Sequence, residues 1–204
     1  EQQALSTYTK LLKSRQSRAI KPTILSYALD STIHPAVEAL REVMGSNENV
    51  WIILKASRLN SLLGMKDNLV RNVSFLRARG IPLENIRKRI LENAVPFIRK
   101  HEAFKDIATQ AEVKWGLSPT SLMYLVAVHV LCCINERTIE SKCRVFESFG
   151  WDRSHVVSLF RCSPRCLGLG ERNIKAKLSF FMNELGYDPG RILVYRALLC
   201  YSLE

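Results

Sequence analysis

The chain has 204 residues, 47% hydrophobic and 24% charged, which excludes a disordered chain and supplies ample core. Its net charge of +11 is uneven: residues 1–100 hold 17 Lys/Arg against 8 Asp/Glu, and residues 101–204 hold 13 against 11. A basic excess of this size points to an anionic partner, nucleic acid first. The longest apolar run, Leu122 to Ile134, is too short to span a membrane and fits a buried helix. No signal or transit peptide is visible ahead of it.

Residues 1–22 are polar and basic, and Leu5, Tyr8, Leu11 and Leu12 have the spacing of a partial helical unit that Pro22 ends. Five glycines then set a rhythm: Gly45, Gly80, Gly116, Gly150 and Gly186 step by 35, 36, 34 and 36 residues. Five residues before each stands an apolar side chain: Leu40, Phe75, Ala111, Val145, Phe181; Leu40, Phe75, Val145 and Phe181 are expected to be buried at equivalent places. Two residues after each stands a helix-capping position, filled by Asn47, Pro82, Ser118, Asp152 and Asp188. Glycine suits the left-handed residue that closes a helix. A fixed period near 35 with a helix-turn-helix in each unit is the signature of a helical repeat array.

The spacing predicts first helices over 34–44, 67–79, 102–115, 137–149 and 171–185. Second helices follow over 47–57, 83–93, 118–131, 152–161 and 188–199, with connectors at Pro96 and Pro164, two periods apart. The expectation is all-α, one continuous domain over 1–204. Leu25 and Leu199 occupy the same phase of the repeat, so further units are expected beyond Glu204.

Candidate chemistry is sparse. The six cysteines form no C-x-x-C pair and read as buried thiols of a reducing compartment. The four histidines have no clustered partners, and no phosphate-binding glycine loop is present. The reading is therefore a protein with no catalytic residues, no metal and no cofactor. What remains is basic. Arg77, Arg79, Arg87, Arg89, Arg99 and Lys100 form the densest basic region, with Arg165, Arg172, Lys175 and Lys177 extending it. These ten, expected to be exposed, are the candidate phosphate contacts. Trp51, Trp115 and Trp151 read as core or turn residues before they read as base-stacking platforms.

Several stretches carry a family resemblance: ILSYALDSTIHP (24–35), GSNENVWIILKAS (45–57), NLVRNVSFLRARGIP (68–82), GWDRSHVVSLFRCSP (150–164) and ERNIKAKLSFFMNELGYDP (171–189). In order and phase they resemble the mitochondrial transcription termination factor (mTERF) family, its plant branch most closely. The resemblance covers nearly the whole chain. It implies a superhelical array of about five repeats, each of two antiparallel helices and a short 3₁₀ turn. It implies a monomer that binds duplex DNA or, in some members, RNA, and location in a mitochondrion or chloroplast. It implies work in transcription initiation, termination or transcript maturation, with protein partners from that machinery. A tetratricopeptide-type scaffold shares the period but wants a Trp–Leu–Gly–Tyr consensus that is absent. A pentatricopeptide-type RNA reader wants a residue code where this chain has caps.

Overall fold

The computed structural model describes residues 29–56 and 61–201. The readings placed on residues 1–22 and on the terminal residues 202–204 lie outside these. Helices and turns form all the regular structure among the described residues. These group into two compact units. One includes residues up to Arg77 and Pro82–His101; the other has Ala78–Ile81 and the chain from Glu102 on.

In the first unit, α1 (His34–Met44) opens with proline in its first turn, where a missing N–H costs nothing. Ala36, Val37, Leu40, Val43 and Met44 make its buried stripe, and Gly45 closes it at φ 67°. Then come α2 (Asn47–Ala56), a single turn α3 (Ser61–Gly64), a π-helical turn (Met65–Leu69) and α4 (Val70–Ala78). Residues 61–78 run as one helical stretch. The helix α5 (Leu83–Glu92) and a 3₁₀ turn (Val95–Ile98) complete the unit. Successive repeats stack like on like, α2 against α5.

The second unit holds α6 (His101–Val113), α7 (Tyr124–Cys133), α8 (Glu136–Glu147), α9 (Arg153–Cys162), the one-turn α10 (Arg165–Gly168), α11 (Glu171–Leu178) and α12 (Pro189–Val194). A π-helical segment (Ser179–Glu184) extends α11, and a 3₁₀ turn (Arg196–Cys200) follows α12. Here α8 packs on α11 and α9 on α12. Trp115 packs against Phe160 with the rings tilted and their centroids 4.3 Å apart, both buried, and eight of the ten residues of α7 are buried.

All five repeat glycines have positive φ, and among the described residues no other type does. The turns therefore stand where the spacing put them. Asp152 and Asp188 cap as expected, their carboxylates accepting from the N–H of His155 and Arg191. Asn135 caps α8 unforeseen, accepting from Thr138. Other readings need correction. Asn47 is the first residue of α2; the side chain ahead of it that meets the helix, at 3.5 Å from Asn49 N, is Ser46. The third second-helix starts at Tyr124, not 118, because Ser118 and Ser121 turn their hydroxyls onto the N–H of Thr120 and Met123. Such local bonds compete with the helix ladder. Phe75 and Val145 are half-buried where full burial was expected, and the next residues, Leu76 and Phe146, are buried instead. The helices ending at Gly116 and Gly186 have a widened last turn, with Trp115 N bonding Gln110 O and Leu185 N bonding Phe180 O. Ala111 and Phe181, like Leu40, are buried five residues before their glycines. Three cysteines, Cys132, Cys143 and Cys166, are buried; Cys133, Cys162 and Cys200 are exposed, contrary to expectation.

Candidate nucleic-acid interface

The ten candidate basic residues divide by what their side chains touch. In the first unit, Arg77 is exposed on the last turn of α4, and Arg99 and Lys100 are exposed between the 3₁₀ turn and α6. None of these three side chains has a partner among the described residues. Arg87 and Arg89 are half-buried and engaged. Arg87 Nε donates to Val43 O at 2.8 Å, capping the C-terminal end of α1, and its guanidinium fills the space beside Gly45. A cation there also meets the negative end of the helix dipole. Arg89 Nη1 holds Glu92 at 2.6 Å.

In the second unit, Arg79 Nε donates to Glu112 Oε1 at 2.9 Å, and the same carboxylate accepts from the Tyr124 hydroxyl at 2.7 Å. Burial first, and then Glu112, raise the Tyr124 hydroxyl pKa above its ordinary range. Arg165, Arg172 and Lys175 are exposed. Lys177 overturns its reading: it is 2% exposed, and its ammonium donates to the carbonyls of Leu199 and Tyr201. It lies on the buried stripe of α11 with Ile174 and Leu178. Its charge serves the fold and is closed to phosphate.

Position explains Lys177. Lys142, 35 residues earlier, is 5% exposed and donates to Leu167 O at 2.6 Å; burial lowers its pKa, and Glu171 partly offsets this. Another 70 residues earlier, fully buried Asn72 donates to the carbonyls of Phe97 at 2.9 Å and Arg99 at 2.8 Å. The same repeat position thus ties down the third turn in three repeats. Each turn ends with carbonyls that have no helical partner, and a buried donor satisfies them.

The exposed bases that remain, Arg77, Arg99, Lys100, Arg165, Arg172 and Lys175, can meet phosphate without breaking an internal bond identified above. Sequence reasoning missed Arg137. It is exposed at the second position of α8, 35 residues before Arg172 at the second position of α11. The spacing was the available signal. A cation in a helix's first turn opposes the dipole, and an anion placed there would meet both guanidinium and free N–H groups. The tryptophans offer little stacking surface: Trp115 and Trp151 are buried, and Lys55 lies over Trp51 at 5.0 Å.

Among the described residues no group of three His, Cys, Asp or Glu side chains is placed to hold a metal, and no helix is long and apolar enough to cross a membrane. Helical repeats that stack within each unit, turned at left-handed glycines, define a helical-repeat protein. The mTERF family model matches residues 1–204, and the chain belongs to that family. No curated protein matches it. Membership brings, at a general level, nucleic-acid binding and transcription regulation in an organelle, in a family that is generally non-enzymatic.

Proposed function

We propose that the chain binds duplex DNA as one continuous array and regulates transcription, by termination or initiation, in a mitochondrion or chloroplast, as in the plant branch of the family. The observation that carries this is the set of exposed, unpartnered bases Arg77, Arg99, Lys100, Arg172 and Lys175, in a chain of net charge +11. Arg165 is exposed as well; Arg79, Arg87, Arg89 and Lys177 leave the candidate list because their charges are engaged within the fold. Phosphate neutralisation supplies most of the affinity and orients the duplex without reading sequence.

The test is a titration of labelled duplex DNA and of RNA of the same sequence at two salt concentrations. Neutralising about six phosphates gives a log–log salt slope near −5. The triple variant Arg77→Glu, Arg99→Glu, Lys100→Glu keeps its fold and binds more weakly at every sequence. Tighter binding of the RNA would move the reading to transcript maturation. A salt-independent wild type would favour a protein-binding scaffold.

A further inference from the structure

Two of the six thiols are neighbours. Cys166 in α10 and Cys200 at the end of the terminal 3₁₀ turn have sulfurs 3.8 Å apart. They lie 34 residues apart, one repeat, so the third turns of successive repeats bring them together. Ser163 joins the pair: Cys166 S–H donates to Ser163 Oγ at 3.4 Å, and that hydroxyl lies 3.7 Å from Cys200 Sγ. The two thiols are unequal. Cys166 is fully buried, and burial pushes its pKa up to about 12; Cys200 is exposed.

We propose that Cys166 and Cys200 form a reversible intrachain disulfide when the protein meets a hydroperoxide. The Cys200 thiol gives its proton to solvent, and the thiolate attacks the terminal peroxide oxygen; an S–O bond forms, the O–O bond breaks, and the leaving hydroxide (an alkoxide from an organic hydroperoxide) takes up that proton. Sulfur is oxidised by two electrons to sulfenic acid, and the peroxide is reduced. The Cys166 sulfur then attacks the Cys200 sulfur. The S–S bond forms, the S–O bond breaks, and the oxygen leaves as water with the Cys166 proton, for which Ser163 is the adjacent relay. The buried thiol is thus the resolving partner, and the exposed one the sensor. Among the described residues, buried Leu199 and the Lys177 ammonium, which binds the carbonyls of Leu199 and Tyr201, hold this turn, and Leu198 is exposed. The crosslink would lock this turn onto the preceding repeat.

The experiment is peptide mapping of the peroxide-treated protein under non-reducing conditions. Trypsin cuts after Arg165, Arg172 and Arg196 and so separates the two cysteines. The expected product joins the 166–172 peptide to the peptide starting at Ala197, is lighter by two hydrogens, and is lost on adding dithiothreitol. Amide exchange across 196–200 slows in the oxidised form and recovers on reduction. Cys166→Ser leaves Cys200 as a sulfenic acid that dimedone traps, and Ser163→Ala lengthens the life of that species. Crosslinks through Cys133 or Cys162 alone, or a wild type that stops at Cys200 sulfenic acid, would overturn the proposal.

Discussion

The repeat that turns at Gly80 and the one that turns at Gly116 end differently. After Gly80 the chain makes α5, then a free 3₁₀ turn at Val95–Ile98 whose trailing carbonyls are bound by buried Asn72. After Gly116 it makes an irregular turn and then α7, which runs to Cys133 with no third turn before α8. The residue 35 after Asn72 is Ile107, half-buried and apolar. The repeats ending in α10 and in the terminal 3₁₀ turn have Lys142 and Lys177 at that position. The first repeat has Val37, and there α3 runs without a break into the next helix. At this repeat position a polar side chain is buried where a free turn leaves carbonyls to satisfy, and an apolar one stands where none does. The burial cost of a polar group is tolerated when its hydrogen bonds are complete.

The largest effect comes from breaking the brace. Asn72→Ala removes the side-chain donor to the carbonyls of Phe97 and Arg99 and the partner of His101 Nδ1, 2.8 Å away. Unsatisfied buried groups cost about 1–3 kcal/mol each, so a loss of about 3 kcal/mol is expected in urea denaturation. Asn72→Lys puts in the version used at 142 and 177 and should recover part of it. A loss below about 1 kcal/mol for Asn72→Ala would mean water replaces the brace and the comparison has no energetic content.

Next is the turn that opens the third repeat. Gly80 and Gly116 both have positive φ, so alanine strains either by about 1 kcal/mol. A Cβ at Gly80 meets open space, whereas at Gly116 it would lie 2.0 Å from the Arg161 guanidinium. That guanidinium is held by Trp115 O, 2.8 Å from Nε. Gly116→Ala should therefore cost about 1 kcal/mol more than Gly80→Ala, the worth of the displaced hydrogen bond. Equal losses in paired thermal melts would show Arg161 to be dispensable.

How much of this was legible in the sequence follows from which forces act locally. Left-handed glycines and the caps Asp152 and Asp188 follow from chain chemistry within a few residues, and the spacing exposed them. The brace was hidden because Lys177 looks like any other base, following Arg172 and Lys175 on a helix that opens with Glu171; only carbonyls more than 20 residues away explain its burial. The phosphate candidates suffered likewise. Arg87 and Arg79 read as surface charge until Val43 O and Glu112 stand beside them. Reading position by position at the 35-residue period would have aligned Lys142 with Lys177 and Arg137 with Arg172 from sequence alone.

A smaller effect tests the apolar half of the comparison. Ile107→Lys supplies a donor where the repeat has no free turn. The site is half-buried, so the ammonium can reach water along its stem. The expected loss is about 1 kcal/mol, from the apolar surface given up. Added stability in the same urea series would mean that α7 does leave carbonyls to bind, and the rule would break.

The smallest effect separates local capping from these long-range braces. Asp152 accepts from His155 N at 2.9 Å and from the Ser154 hydroxyl at 2.7 Å. Backbone donation from His155 first, and then Ser154, hold its carboxyl pKa below the ordinary carboxylate value. A depressed pKa means the folded state binds fewer protons than the unfolded state between the two values. Stability therefore rises with pH across that window, is fully present above the ordinary carboxylate pKa, and is lost as pH falls through the lower, folded value. Asparagine in place of Asp152 would also cap the helix but does not titrate. Wild type should thus lose its melting-temperature advantage over Asp152→Asn as acid is added, and keep a constant advantage above the window. No convergence on acidification would show that the carboxylate gains nothing from its charge. The cap would then be a matter of hydrogen-bond geometry alone, as the neutral Asn135 cap of α8 already is.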